Sequence, residues 1–300
     1  MANEIQEVFI DAFRGNLRHL SQQKASKLRP YVDYFSAEAE TGSWDRLSDA
    51  DMVTKTRNQV TGDERREWSR RMAIATTYKD HEMIEVEDPS MMLQDPKSNL
   101  NQSMGYAAGR QIDDVIIAAS TGAATAISRA PLHPAGDGTT TPTAVALPAD
   151  QVIDGSGGGL TFELVTETQE RFMLNDIDAD IPKIFVVSPR QVRELMNLTE
   201  NTSADYVEAR RLQQYGICPN WLGFTWIVSN RLGGAAGSRT CFAMTHDAVG
   251  LHMPGDIEVF CQQDPGYQYA WRPYMQMNLG AVRVEDEKVV QVTVDDDTST

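Results

Sequence analysis

The 300-residue chain has three cysteines, no apolar run long enough to cross a bilayer, and no excess of positive charge. Each shortage excludes something. Cys218, Cys241 and Cys261 cannot form a disulfide framework, and Met1-Ala2-Asn3-Glu4 opens neither a basic leader nor an apolar signal core, so a reducing cytosol is the expected home. Apolar stretches such as that from Ile181 to Val187 fall far short of the about 20 residues a spanning helix requires. With 27 Lys plus Arg against 43 Asp plus Glu the net charge is -16, which repels phosphate and argues against direct nucleic-acid recognition. At 41% hydrophobic the chain is nonetheless rich enough in apolar residues to bury a core.

The charge is unevenly placed. Residues 1–71 hold 12 basic and 12 acidic side chains, leaving 15 and 31 for residues 72–300, so the whole net charge lies beyond residue 71. The neutral first part is dense in both signs around Arg65, Arg66, Arg70 and Arg71, a composition that reads as a solvated helix face or as an arm that docks on an acidic neighbour.

Catalytic patterns are also absent. Gly155 to Gly159 precede a helix, but no Lys-Ser or Lys-Thr follows, and Leu160 stands where a dinucleotide fingerprint needs glycine, so a flexible loop is expected. Asp176, Asp178 and Asp180 imitate the start of a calcium loop, yet Ile181 and Val187 occupy the positions that demand glycine and glutamate. Cys241, His246, His252 and Cys261 are ligand types without the paired spacing of a zinc site. Asp113 and Asp114 point about 100° apart on a helix and cannot form a carboxylate dyad. There is no Gly-x-Ser-x-Gly elbow. No catalytic, cofactor-binding or metal-binding residue is assigned.

What the chain does have is order along its length. Ile5, Phe9, Phe13, Leu17 and Leu20 form one amphipathic helical stripe. Residues 31–87 lack a sustained period and read as an extended arm and hairpin without a core of their own. From Asn99, with Gln102 completing a capping box, the apolar positions Met104, Ala108, Ile112, Val115, Ile116, Ala119, Ala123 and Ile127 predict one helix of about 29 residues, on the order of 43 Å long. Turn composition follows to residue 159, with room for a short hairpin, then a helix from Thr161 to Asn175 with Phe162, Val165, Phe172 and Met173 inward. Ile184-Phe185-Val186-Val187 is a buried-type strand, Ser188-Pro189 with Gln191 opens a helix, Ser203 to Gly216 is another, and Leu222 to Val228 is again strand-like. Three antiparallel strands complete the pattern, in Asp256 to Gln262, Tyr274 to Val284 and Lys288 to Val294, with an acidic turn at Glu285-Asp286-Glu287 and a solvated tail from Asp295.

This order, an α+β arrangement, resembles the major capsid proteins of tailed bacteriophages, which share the Hong Kong 97-like fold. Asp95-Pro96 leading into Ala107-Ala108-Gly109-Arg110-Gln111-Ile112-Asp113-Asp114-Val115-Ile116-Ile117-Ala118-Ala119 is similar to the start of that family's spine helix. Phe185-Val186-Val187-Ser188-Pro189, Ser203-Ala204-Asp205-Tyr206, Leu222-Gly223-Phe224 and Ser229-Asn230-Arg231-Leu232 resemble successive elements of its axial domain. Asp247-Ala248-Val249-Gly250-Leu251 and Leu279-Gly280-Ala281-Val282-Arg283 resemble its return to the peripheral domain. The words are short but collinear over about residues 60 to 294.

The resemblance implies an N-terminal arm at 1–45, an extension loop at 46–94 reaching over a neighbouring subunit, a peripheral domain with the spine helix at 95–182, an axial domain at 183–255 and peripheral C-terminal strands at 256–300. It further implies hexamers and pentamers assembling into an icosahedral shell around double-stranded DNA in the virion, made in the bacterial host cytoplasm without catalysis. With only about 100 residues before the spine, a separate scaffolding protein is expected, together with portal and cement proteins. An encapsulin-like compartment, which shares the fold but holds cargo enzymes, is the alternative, and an enzyme built on the 183–255 segment is a third reading.

Overall fold

The computed structural model describes residues 22–48, 52, 54, 57–58, 68–85, 96–128, 142–155, 157–178, 180–197, 217–234 and 237–296, with backbone alone for 96–99, 127–128, 196–197 and 217–220. The amphipathic stretch from Ile5 to Leu20 and the helix expected from Ser203 to Gly216 lie outside the described residues.

Ile184, Phe185, Val186 and Val187 are at most 1% exposed, because the strand they form, β8 (Lys183–Val187), is covered on both faces, as a continuous apolar run requires. It lies in a six-stranded sheet of order β7 (Val152–Gly155), β15 (Val289–Asp295), β11 (Ser238–Thr245), β8, β10 (Phe224–Val228) and β9 (Ile217–Trp221). The β7–β15 and β8–β10 pairs are parallel and the other neighbours antiparallel. The strand expected from Leu222 starts at Phe224 because Leu222 and Gly223, with φ of 52° and 78°, make the two-residue turn between β9 and β10. Phe185 stacks on Trp226 at 4.7 Å and meets Phe224 edge-on at 5.5 Å, an aromatic centre for this sheet.

Helix α1 (Pro96–Thr121) has 26 residues and is about 39 Å long. Met104, Ala108, Ile112 and Ile116 form its buried stripe and join the same core as the six-stranded sheet. The helix ends before Ala123 and Ile127, which the periodicity had included. The Ser120 and Thr121 hydroxyls donate back to the Ile116 and Ile117 carbonyls at 2.8 and 3.2 Å, and Arg283 donates to the terminal carbonyl of Gly122 at 2.6 Å. Ala124–Ser128 is instead strand β5, a state suited to the β-branched Thr125 and Ile127.

A five-stranded sheet supports the other side of α1. It runs β1 (Asp33–Phe35), β12 (Val249–His252), β14 (Ala270–Arg283), β13 (Glu258–Asp264), with β4 (Thr76–His81) also pairing β14. The third sheet is β2 (Thr41–Leu47), β3 (Trp68–Ile74), β5 and β6 (Thr143–Val145), so the expected hairpin within 31–87 is β2–β3, whereas β6 pairs with β5, from the stretch expected to be helical, and not with a second strand inside 131–159.

Helix α2 (Phe162–Leu174) is capped by Thr161, whose side chain accepts from Leu164 N at 3.4 Å. Val165, Thr168 and Phe172 face inward, but Met173, expected inward, is 60% exposed because it lies 100° round from Phe172. Helix α3 (Pro189–Asn197) follows β8 directly, with Ser188 at its start bonding Arg190 N and the Gln191 side chain. Among the described residues no helix is long and apolar enough to cross a membrane.

Candidate functional site: the roots of the arm and the hairpin

The residues singled out for chemistry are dispersed. Among the described residues no three His, Cys, Asp or Glu side chains are grouped so as to hold a metal. Cys241 is buried within β11, where desolvation pushes its thiol up to about 12, and Cys261 lies on the edge strand β13. His246 and His252 face backbone: Nε2 of His246 is 3.1 Å from Pro30 O, and His252 places Nε2 2.8 Å from Ala39 O and Nδ1 3.3 Å from Phe35 O. The glycine-rich stretch is tied down by the protein's own anion. Glu194 of α3 accepts from Leu160 N at 3.0 Å, and a Cβ on Gly159 would lie 2.4 Å from the same carboxyl group. Of the three aspartates in the calcium-like run, Asp178 offers its main-chain oxygen to Lys183 Nζ at 3.1 Å.

Asp113 and Asp114 each hold a different element. Asp113 is 1% exposed and accepts from Ser26 Oγ at 2.6 Å, from the backbone amides of Lys27 and Leu28 at 3.1 Å, and from the Gln23 side chain. A buried carboxylate with this many donors is a socket for the backbone that enters it. Gly109, one turn earlier, lets that backbone approach, since a Cβ there would sit 3.1 Å from Ser26 N. Asp114 receives both Nε and Nη2 of Arg231, fastening α1 to the segment after β10. Lys27 adds a bond from Nζ to Val228 O at 2.7 Å.

From that socket the chain runs into β1, which pairs in parallel with β12, and then into the hairpin. Trp44 of β2 packs its ring where Gly250 has no side chain; a Cβ there would lie 2.4 Å from it. The ring is fixed by Nε1 donating to Asp33 at 2.8 Å and by an edge-on contact with Phe35 at 5.9 Å. Ala73, Ala124 and Val282 form a small separate core beneath it.

The hairpin's root is ionic. Arg71 of β3 reaches Asp286 Oδ2 at 2.5 Å, and Arg283, fully buried at the end of β14, donates Nε to Asp286 Oδ1 at 2.6 Å. Arg283 also donates to Val145 O at 3.2 Å, so one guanidinium ties β14 to β6 and to the end of α1. Burial depresses the Arg71 pKa, and the charges of Arg46 and Arg283 add to this against the attraction of Asp286. Arg46 approaches Glu287 at 3.8 Å and Lys288 bonds Glu285 at 3.1 Å. The acidic turn between the last two strands is therefore the receptor for both strands of the hairpin.

Periodicity does not reveal this set. Arg70 and Arg71 lie in a run read as a solvated helix face, but they are in strand β3, and its alternation buries Arg71 while the Arg70 side chain points outward to Asp45 at 2.5 Å. One signal was available: Arg283 stands between Val282 and Val284 in an apolar strand, three residues before an aspartate. The tail is likewise not free at its start, since Arg239 holds Asp296 at 2.5 Å and Asp296 N donates to Gly237 O at 2.8 Å. This corrects the solvated reading for Asp295 and Asp296.

Away from its root the hairpin becomes exposed. Leu47 and Trp68, opposite one another in register, are 43% and 57% exposed. The outer strand β13 exposes Val259 and Phe260.

Comparisons give the arrangement a context. A family model described as phage capsid protein matches residues 5–296. The fold is similar to the capsid of cyanophage P-SCSP1u, with 14% identity over 99% of this chain and 96% of that one, at a TM-score of 0.67. It is similar to the capsid of Ralstonia phage GP4, with 11% identity over 96% of each chain at a TM-score of 0.69. A native GTA particle capsid gives 9% identity over 94% of each chain and a TM-score of 0.68. No curated protein matches in sequence.

Proposed function

The chain belongs to the phage capsid protein family, and from that premise we propose that it assembles as hexamers and pentamers into an icosahedral head shell around double-stranded DNA. It is a structural subunit of the virion capsid. The family match favours the phage head over an encapsulin-like compartment.

The observation that carries the mechanism is the rooted hairpin. β2 and β3 are held to the body midway along the hairpin, where Trp44 and Arg71 lie opposite one another in register and Arg71 joins the buried double-arginine site, while the end at Leu47 and Trp68 is exposed to solvent. A lever held rigidly at its base transmits a neighbour's contact to the body instead of bending away from it. We assign residues 1–45 to an arm and 46–94 to an extension loop that reaches over a neighbouring subunit. Residues 95–182 and 256–300 are then assigned to a peripheral domain and 183–255 to an axial domain, the two sharing the six-stranded sheet, to which the peripheral segments contribute β7 and β15. The acidic body suits a container, because it repels DNA phosphates rather than adhering to them. A separate scaffolding protein, a portal and cement proteins are the further partners of this reading.

Electron microscopy of the expressed chain, alone and with a scaffolding protein from the same phage, tests it. Closed shells with hexameric and pentameric units are expected, and monomers under every condition would defeat the proposal. Because residues 1–71, neutral overall and dense in both signs, face acidic neighbours in this reading, raised salt should loosen the shells.

A further inference from the structure

Strand β13 borders the five-stranded sheet. Among the described residues it pairs with β14 alone, so the main-chain donors and acceptors along its other side are open. Edges of this kind are usually guarded by lysine, proline or a bulge, yet Glu258-Val259-Phe260-Cys261-Gln262-Gln263-Asp264 contains neither residue and its register with β14 is unbroken. Its exposed apolar side chains occupy both faces: Val259 lies opposite Met275 on one, and Phe260 opposite Tyr274 on the other. We infer that β13 of one copy pairs antiparallel with β13 of a second copy about a two-fold axis at Phe260, joining two five-stranded sheets into one.

Charge narrows the register. The strand has two acids, Glu258 and Asp264, and no base. Centred on Cys261, the pairing would use all seven residues but set Glu258 of each copy against Asp264 of the other, and like charges directly opposite one another are destabilising. Centring on Phe260 or on Gln262 pairs five residues of each strand and opposes no two acids within them. Side-chain matching then decides between these two. The axis at Gln262 puts Phe260 against an aspartate, whereas the axis at Phe260 puts Phe260 against itself, Val259 against Cys261 and Glu258 against Gln262.

The surroundings suit that axis. Phe260 and Tyr274 are a cross-strand pair within each copy, so the junction extends them into a row of four aromatic rings. Both acids are drawn back toward β14, Glu258 by the Gln276 side chain at 2.5 Å and Asp264 by Arg272 at 3.4 Å. Past the paired span Asp264 comes level with Asp256 of the second copy, where Arg272 already offsets its charge. An open edge accepts an extended chain of many kinds; a second copy is singled out because this strand, in this register, is its own complement. A two-fold axis perpendicular to the sheet keeps α1 on the same side in both copies, as subunits of one shell require, and to that extent the inference rests on the shell reading.

The test uses the full-length chain with Val259→Cys, assembled with a scaffolding protein, oxidised with copper phenanthroline and mapped by mass spectrometry. Expected is a disulfide joining position 259 of one chain to Cys261 of another. A disulfide joining two Cys261 residues in assembled parent chain would move the axis and overturn the proposal. Closed particles with no cross-link at position 259 would overturn it while leaving the shell reading intact; monomers under every condition would defeat both. Phe260→Asp supplies an independent readout, since it sets two carboxylates face to face on the axis: the yield of closed particles should fall at least about ten-fold while the melting temperature of the isolated subunit stays the same. An undiminished yield would also overturn the proposal.

Discussion

Arg71 and Asp286 are 215 positions apart in the chain and meet at 2.5 Å in a buried ion pair that joins the hairpin to the turn between the last two strands. Arg283 shares the same carboxylate. Removing the acceptor leaves two guanidinium groups in a poorly solvated place. Asp286→Ala should therefore destabilise the folded subunit by about 3–5 kcal/mol in chemical denaturation. Arg71→Met should cost clearly less, since Asp286 keeps Arg283 and the replacement fills similar volume. Equal losses for both variants would show that the site does not act as a shared pair.

Asp113 is the corresponding anchor for the arm. Asp113→Asn keeps the shape but removes the charge that Ser26, Lys27 and Leu28 address. The expected loss is about 2–3 kcal/mol, because hydrogen bonds to a charged group are the stronger kind. Trypsin should also cut after Lys24 and Lys27 faster than in the parent chain, and an unchanged digestion rate would refute the anchoring role.

Much of the fold was legible because it rests on periodic burial. The spine stripe of Met104, Ala108, Ile112 and Ile116 and the run from Ile184 to Val187 announce themselves in any register. The site was not, because its members are isolated polar residues whose meaning depends on partners far away in sequence. Asp113 had been weighed only against its neighbour Asp114, whereas its partners lie 85 to 90 positions earlier. His246 and His252 looked like ligand types because composition says nothing about a backbone carbonyl arriving from residues 30–39.

Close approach of Trp44 depends on Gly250. Gly250→Ala places a methyl group within the ring's volume while Asp33 and Phe35 restrain the ring from moving. Overpacking of this kind costs about 1–3 kcal/mol. Gly158→Ala, which meets nothing within 4 Å, is the matched control and should change stability by less than about 0.5 kcal/mol. Thermal or urea unfolding of the two variants decides the point.

Asp247 and Lys288 make a partly exposed pair at 2.7 Å. For Asp247, burial pulls the pKa upward, but hydrogen bonds from Lys288 and Thr245 and the charge of Lys288 outweigh it and the net direction is down. For Lys288, burial pulls downward and is outweighed by Asp247 and Glu285, so the net direction is up. A depressed carboxyl pKa gives stability that is present above its unfolded value, about 3.9, and is lost as pH falls through the folded value; a raised lysine gives stability present below about 10.4 and lost as pH rises through the folded value. The melting-temperature gap between the parent and Asp247→Asn should therefore be flat between about pH 5 and 9 and close in acid. A gap that persists undiminished at pH 2 would rule the pair out as its source.

The buried thiol of Cys241, pushed up to about 12 by desolvation, should resist alkylation at pH 8 in the folded chain, whereas the half-buried Cys261 should react. Mass spectrometry after iodoacetamide treatment distinguishes them, and equal modification of both without unfolding would contradict the packing of β11.

The position of β15 has a consequence for how the subunit is made. Among the described residues strand β7, within the first 155 residues, pairs in its sheet only with β15, and β11 pairs with β8 on one side and β15 on the other. While a ribosome is still adding residues before 289, β7 lacks its partner β15 and β11 has an open edge. Closure of this sheet is thus a late event in translation, and the interval before it is when the nascent subunit is most in need of a chaperone.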